Sequence, residues 1–472
     1  MQYRTEQDLI GSKEIPLAAY YGIHTARAAD NFKVSRQLVH PELFKALAVV
    51  KQAAAETNVS LGLLDPAIGN AIFQAAGEVA EGRLAEQFIL DALQGGAGTS
   101  TNMNVNEVVA NRAIEILGGE KGDYSLVHPL DHVNLSQSTN DVYPTALRIA
   151  AIRLLKSLAE SCAQLQGALQ DKEAEFAGVL KLGRTEMQDA VPITLGQEFS
   201  AWAEAIARDR WRLYKVEERL RQVNLGGTAV GTGLNAERTY TFTVIERLRS
   251  LTGLGLARNE NMIDGTQNAD VFVEVSGLLK ACATTLIKIS GDLRLLSSGP
   301  RGGLGEIRLP DLQAGSSIMP GKVNPVLPEM LAQIAYQTIA QDLAITLAAQ
   351  GGQLELNAFL PLIAANLLPA MESLGQAMRI FADSCIRGIE AEPERCMTHL
   401  LNSPGIITAL CPYMGYDKAS EIAKKSLHDS RPVKELILEE GLFSAEELNE
   451  LLQVHNLTRP GIVGNRGGQY HE

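Results

Sequence analysis

Apolar residues recur along this chain at steps of three, four and seven, the mark of helices with one buried face. Between Gln197 and Val223 they fall at Phe199, Trp202, Ile206, Leu213, Val216, Leu220 and Val223, with arginine and glutamate on the other face. Val271 to Leu296 is longer and carries charge only at Glu274, Lys280, Lys288, Asp292 and Arg294. A helix so apolar around its circumference predicts an interior place, inside a bundle or between subunits. Leu147 to Phe176, Pro328 to Ala349 and Leu362 to Ile389 read the same way, and Pro369 is expected to kink or interrupt the last of them. Five long helices with short glycine-rich connections predict an all-α fold built on a central bundle.

The flanks have a different texture. Residues 1–138 mix short helices with loops, and Glu42 to Asn58 is the clearest helix among them. Beyond about Glu392 short helices alternate with turns, one of them starting at Ser444 as N-cap with Glu447 at the capping-box position. The glycine-rich tail from Arg459 is predicted to fray. Alternating strand patterns are scarce. Three domains follow, at 1–138, 139–391 and 392–472, in keeping with the two or three that a chain of 472 residues suggests.

Composition narrows the function. Hydrophobic residues make up 46% and charged residues 21%, the balance of a soluble globular protein rather than a disordered one. A formal net charge of -13 and the lack of any basic run argue against nucleic acid as a partner. No apolar run reaches the roughly 18 to 20 residues of a membrane span, and the polar N-terminus lacks a signal core. Five scattered cysteines without a C-x-x-C pair point to a reducing compartment, so a cytoplasmic location is expected.

Four polar segments break the apolar pattern: 94–104, 128–141, 183–189 and 315–325, each read as standing just before a long helix. Their hydroxyls and amides donate hydrogen bonds without carrying charge. Several converging on one carboxylate hold it and still tolerate a second negative charge developing there. Helix N-termini add their own preference for anions. The last segment, Gly315-Ser316-Ser317-Ile318-Met319-Pro320-Gly321-Lys322-Val323-Asn324-Pro325, is the most informative. Glycine permits close backbone approach, and the two prolines forbid a continuous helix. What remains is a loop presenting Ser316, Lys322 and Asn324, suited to binding a small anion and moving a proton beside it.

Other chemistries fit poorly. The glycine-rich stretch Gly226 to Gly233 follows a long helix rather than a strand, which speaks against a Rossmann or P-loop site. Ser316 lies in no G-x-S-x-G elbow. His128, Asp131 and His132 lack the further ligands that a metal would need. Nothing in the sequence asks for a cofactor.

Together these segments resemble the signature of the aspartase/fumarase superfamily, whose members eliminate an amine or water from succinate-like substrates. The likeness runs from Tyr20-Tyr21-Gly22-Ile23-His24-Thr25 to the C-terminal helices. It implies a three-domain fold whose long helices assemble as a tetrameric core, with each site shared by three subunits of a homotetramer. Within the superfamily Tyr20–Thr25, Gln94–Ser100, Val191–Phe199 and Gly352–Asn357 are similar to the aspartase branch.

The resemblance also implies roles. Ser316 would be the base that, as an alkoxide, removes the Cβ proton. Ser138, Thr139 and Ser317 would hold the β-carboxylate as it becomes an enediolate. Lys322, Asn324 and Thr185 would hold the α-carboxylate, and Thr99 and Asn140 would lie near the leaving amine with Glu186 beside them. Two positions depart from the pattern. Glu186 stands where relatives mostly carry His or Gln, and a carboxylate there favours an ammonium group. Leu360 stands where a charged residue is usual, which leaves substrate choice open. The expected reaction is deamination of L-aspartate to fumarate. The alternatives are a sister lyase, releasing water or a substituted amine, and an inactive structural scaffold.

Overall fold

Helices carry most of the chain in the computed structural model, which describes residues 2–463. Most of the tail predicted to fray, residues 464–472, lies outside the described residues. Two compact units divide the chain. Met1–Glu160, Arg210–Ala283 and Ala335–Gly375 form the first; Ser161–Asp209, Thr284–Ile334 and the chain from Gln376 onward form the second.

An antiparallel hairpin of β1 (Tyr3–Asp8) and β2 (Gly11–Pro16) opens the chain. Then come α1 (Ile23–Asn31), α2 (Pro41–Ser60), α3 (Pro66–Ala80) and α4 (Thr99–Ile116). Next is α5 (Thr139–Glu175), followed by a second antiparallel hairpin, β3 (Leu180–Thr185) and β4 (Gln188–Thr194). After α6 (Leu195–Leu220) a two-residue strand β5 (Gln222–Val223) pairs in parallel with β6 (Ala257–Arg258) across α7 (Arg238–Thr252). There follow α8 (Met262–Gln267), α9 (Asp270–Leu296), β7 (Ile307–Arg308), α10 (Val326–Gln350) and α11 (Leu360–Ser384). The strand β8 (Glu390–Ala391) pairs with β7, and α12 (Pro393–Asn402) leads into short C-terminal helices.

The five long helices of the sequence reading are α5, α6, α9, α10 and α11, and the fold class stands as helical, with small two-stranded sheets added. The prolines behave differently from expectation. Helix α11 runs uninterrupted through Pro369, and α5 starts at Thr139 and contains Pro144. A proline frees the carbonyl four residues earlier. Each freed carbonyl finds a side-chain donor: Gln37 Nε2 reaches Ala365 O at 3.4 Å, and Asn224 Nδ2 reaches Asn140 O at 3.1 Å. A second difference is that β5 stands between α6 and the glycine-rich stretch 226–233.

In the first unit α2 buries Leu43, Phe44, Leu47 and Val50 and packs on α3 and α7. The Tyr20–Thr25 block serves the start of α1. The buried Glu107 carboxylate on α4 accepts from the N–H groups of Gly22, His24 and Thr25 and from the Thr25 hydroxyl, and Glu6 accepts from Ile23. Two acids at a helix N-terminus complement its dipole. In the second unit Leu180 and Leu182 of β3 join Leu400, Ile406, Leu410, Ile422 and Leu436 in one apolar cluster. Ser444 and Glu447 form the predicted capping box. Among the described residues no helix is long and apolar enough to cross a membrane.

Candidate active site

In the first unit the polar segments 94–104 and 128–141 end at adjoining helix starts. Gly96, Ala97 and Gly98 all have positive φ, a tight left-handed turn that delivers Thr99 as the first residue of α4. Gly98 is also required by space, since a Cβ there would fall 2.3 Å from the Tyr143 ring of α5. The Asn102 amide donates to the Thr139 hydroxyl at 3.1 Å, so the two helix starts are joined through side chains as well.

Ser138 closes the start of α5 reciprocally. Its hydroxyl accepts from Asn140 N, and its own N–H donates to Asp141 Oδ1 at 2.9 Å. The other oxygen of Asp141 accepts from Gly226 N and Thr228 N, and the Asn140 amide donates to Ala229 O at 2.7 Å. The glycine-rich stretch is therefore a clasp around this helix start. Burial raises the Asp141 carboxyl to about 6, against the pull of those backbone donors. The start of α4, with Thr99, thus adjoins the start of α5, with Ser138, Thr139 and Asn140.

In the second unit segment 183–189 is the tip of the β3–β4 hairpin and not, as the sequence suggested, a helix approach. The hairpin intervenes before α6, and it was missed because the short alternation of Leu180, Leu182 and Val191, Ile193 is a faint strand signal. Thr185 pairs with Gln188, and Glu186 and Met187 between them have φ of 52° and 66°. Non-glycine residues held there carry strain that surrounding structure must sustain. The base of the hairpin supplies it: Glu306, fully buried just before β7, meets Arg184 at 2.7 Å, His399 at 2.9 Å and Lys181 at 3.0 Å. Burial works to raise the Glu306 carboxyl, but Arg184, Lys181 and His399 outweigh it and hold it below its ordinary value.

The serine loop is closed on itself. Gly315 N donates to Lys322 O at 2.7 Å, and the Asn324 amide donates to Gly315 O at 2.8 Å. A Cβ on Gly315 would sit 2.6 Å from Lys322 O, so only glycine fits this neck. Lys322 Nζ donates to Asn324 Oδ1 at 2.7 Å. The Ser316 hydroxyl accepts from two backbone groups, Ile318 N at 3.2 Å and Met319 N at 3.1 Å. Two fixed donors and a cation on the same small loop are what an oxygen needs to carry negative charge. Ser317 and Lys322 are exposed, and Ser316 and Asn324 partly so. Among the described residues no hydrogen bond ties Thr185 or Glu186 to this loop within one chain.

Residues 11–340 match the family described as Lyase, and residues 406–459 that described as Fumarase C C-terminus. The aspartate ammonia-lyase of a Bacillus species is 48% identical over 98% of this chain and 99% of its own. The chain belongs to the aspartase/fumarase superfamily. Among solved structures, the cobalt-bound fumarate lyase:delta crystallin of Brucella melitensis superposes with a TM-score of 0.92 at 49% identity, covering 95% of this chain and 98% of that one. The class II fumarase of Schistosoma mansoni gives 0.90 at 36% identity, over 95% and 98%.

Within that superfamily frame, several side chains that the sequence reading passed over stand behind the expected ones. Lys51, Asp141, Asn224 and Glu306 fix the segments rather than face outward. Only Lys51 leaves a trace in the pattern, as a lysine on the apolar face of α2. Leu360 is packed in the interior of the single chain at the start of α11. The histidines of segment 128–141 act locally: His128 Nδ1 accepts from Leu130 N and Asp131 N, and His132 Nδ1 from His128 N.

Proposed function

We propose that this chain deaminates L-aspartate reversibly to fumarate and ammonia, in the cytoplasm, as a homotetramer. The observation that supports the chemistry best is the pair of backbone N–H groups aimed at the Ser316 hydroxyl oxygen. A proton next to a carboxylate is very weakly acidic, because its removal puts a second negative charge on that group. A serine base therefore needs its alkoxide stabilised in place; Ile318 N and Met319 N provide for this, and Lys322 is the cation available on the same loop.

In this reading Ser316 takes the Cβ proton, and the electron pair moves onto the β-carboxylate as an enediolate. Ser138, Thr139 and Ser317 hold that dianion with hydrogen bonds. The pair then returns to form the double bond as the C–N bond breaks and ammonia leaves with its electrons; Thr99, Asn140 and Glu186 lie beside it. Lys322, Asn324 and Thr185 hold the α-carboxylate throughout. Closure of the glycine- and serine-rich loop over the substrate would exclude water and strengthen these contacts.

Assembly follows from the same reading. Tyr336, Leu343 and Leu347 form an apolar stripe on α10 and are 58%, 62% and 53% exposed in the single chain. Such a stripe needs a partner. A tetramer covers it and brings together strips from three subunits, with domains bounded near residues 138 and 391.

Identity supports the amine over water as leaving group: 48% with an aspartate ammonia-lyase against 36% with a class II fumarase. The exposed Glu186 carboxylate favours an ammonium as well. Fumarate absorbance followed with L-aspartate and then with L-malate tests the reading. Product from L-aspartate is expected; product from malate alone refutes it, and no product from either points to a sister lyase or an inactive scaffold.

A further inference from the structure

Lys51 lies midway along α2, and its side chain is fully buried. A buried ammonium costs several kcal/mol in lost hydration unless it is well paired. Here its hydrogen-bonding partners are neutral: Asn134 Oδ1 at 3.0 Å and Gln137 Oε1 at 2.9 Å. Its field is felt by Asp141, whose oxygens are already engaged by Ser138 N, Gly226 N and Thr228 N. A positive charge short of full neutralisation thus sits against the loop that leads into Ser138 and the start of α5.

The contacts carry orientation onward, because an ammonium only donates and so holds the Asn134 oxygen, rather than its amide nitrogen, toward Lys51. Asn134 Oδ1 accepts from Lys51 and also from the amides of Asn102 and Asn106, both at 3.2 Å. The Asn102 amide then donates to the Thr139 hydroxyl at 3.1 Å. A hydroxyl whose oxygen is taken by a donor directs its own proton elsewhere. The chain Lys51–Asn134–Asn102 therefore sets Thr139 as a donor toward whatever lies at the start of α5.

We infer that Lys51 is a positioning residue for the carboxylate that becomes dianionic in the reaction, acting through Asn134 and Asn102 on the Thr139 hydroxyl. The inference rests on the proposed site in which Ser138 and Thr139 hold that carboxylate. Burial brings the Lys51 ammonium down to about 7, with Asp141 opposing. An anion arriving at this helix start favours the charged form again, so the cation is strongest when the second negative charge develops.

The test is a double-mutant cycle of Lys51→Met and Thr139→Val, read as kcat and KM for L-aspartate. Lys51→Met is expected to lower kcat about tenfold or more while moving KM far less, because the effect belongs to the developing dianion. The double variant is expected to lose little beyond the larger single loss. Unchanged kcat in Lys51→Met, or losses that multiply independently, overturns the inference. Should Lys51→Met not fold, Asn102→Ala cuts the same chain with Lys51 in place, and wild-type kinetics there overturns it equally. A wild-type protein without turnover of L-aspartate refutes the function reading instead. In that case calorimetry with the nitronate of 3-nitropropionate, which carries the charge of the enediolate, decides: about tenfold weaker binding by Lys51→Met upholds the inference, while equal binding, or none by the wild type, overturns it.

Discussion

Ser316 gives the sharpest residue-level expectation. With its oxygen gone, the donors Ile318 N and Met319 N have nothing to stabilise, while the loop neck through Gly315 and Asn324 is untouched. Ser316→Ala is expected to lower fumarate formation by roughly a thousandfold or more, with an unchanged melting temperature. Near-normal turnover in that variant would refute the base assignment. The residues proposed to bear the chemistry stood out because hydroxyls, amides and a lysine in a proline-bounded loop are an unusual order. Their supports did not. Glu306 and Asp141 are ordinary acids in sequence and gain meaning only from Arg184, His399 and Lys181 in one case and Gly226 and Thr228 in the other.

At the scale of elements, helix existence was legible and helix ends were not. Periodicity fixes where apolar residues recur, but α5 begins before its apolar stripe because Ser138 and Asp141 cap it and Asn224 serves the carbonyl that Pro144 frees. Asn224→Ala leaves that carbonyl unpaired and is expected to destabilise by about 1–3 kcal/mol in denaturant unfolding. Asp91 secures the approach to the first polar segment in a similar way. Burial works to raise its carboxyl, but the Ser35 hydroxyl and the backbone N–H groups of Leu93, Ser35 and Arg36 outweigh this and hold it at about 2, below its ordinary 3.8. The folded state thus prefers the ionised form. The stability this adds is present above about pH 3.8 and is lost as pH falls through about 2. The gap in melting temperature between the wild type and Asp91→Asn is expected to close over that window; a constant gap would show that charge plays no part.

At the scale of the whole molecule we propose that the site is a property of the assembly. The expected residues fall into sets in one chain: Thr99 with Ser138, Thr139 and Asn140 in the first unit, and Thr185 with Glu186 on a hairpin tip and the serine loop in the second. Mixing inactive Ser316→Ala with inactive Thr185→Val, under conditions that let subunits exchange, is expected to restore part of the activity, because some sites then combine intact strips. No recovery after proven exchange would contradict a site shared between subunits. Leu343→Glu on the exposed stripe of α10 is expected to give smaller particles in light scattering and to abolish turnover in parallel.

The sequence by itself determined the helical class, the long helices, the capping box at Ser444 and the residue types proposed to carry the chemistry. Those properties follow from local periodicity and from side-chain chemistry, both of which act over a few neighbouring residues. Only the tertiary structure decided that segment 183–189 is a strained hairpin tip, that the glycine-rich stretch 226–233 clasps the start of α5, and that a buried lysine holds Asn134 and Gln137 in the loop before Thr139. These depend on contacts between residues tens to hundreds of positions apart, and no local pattern encodes which distant donor will meet a given carbonyl or carboxylate.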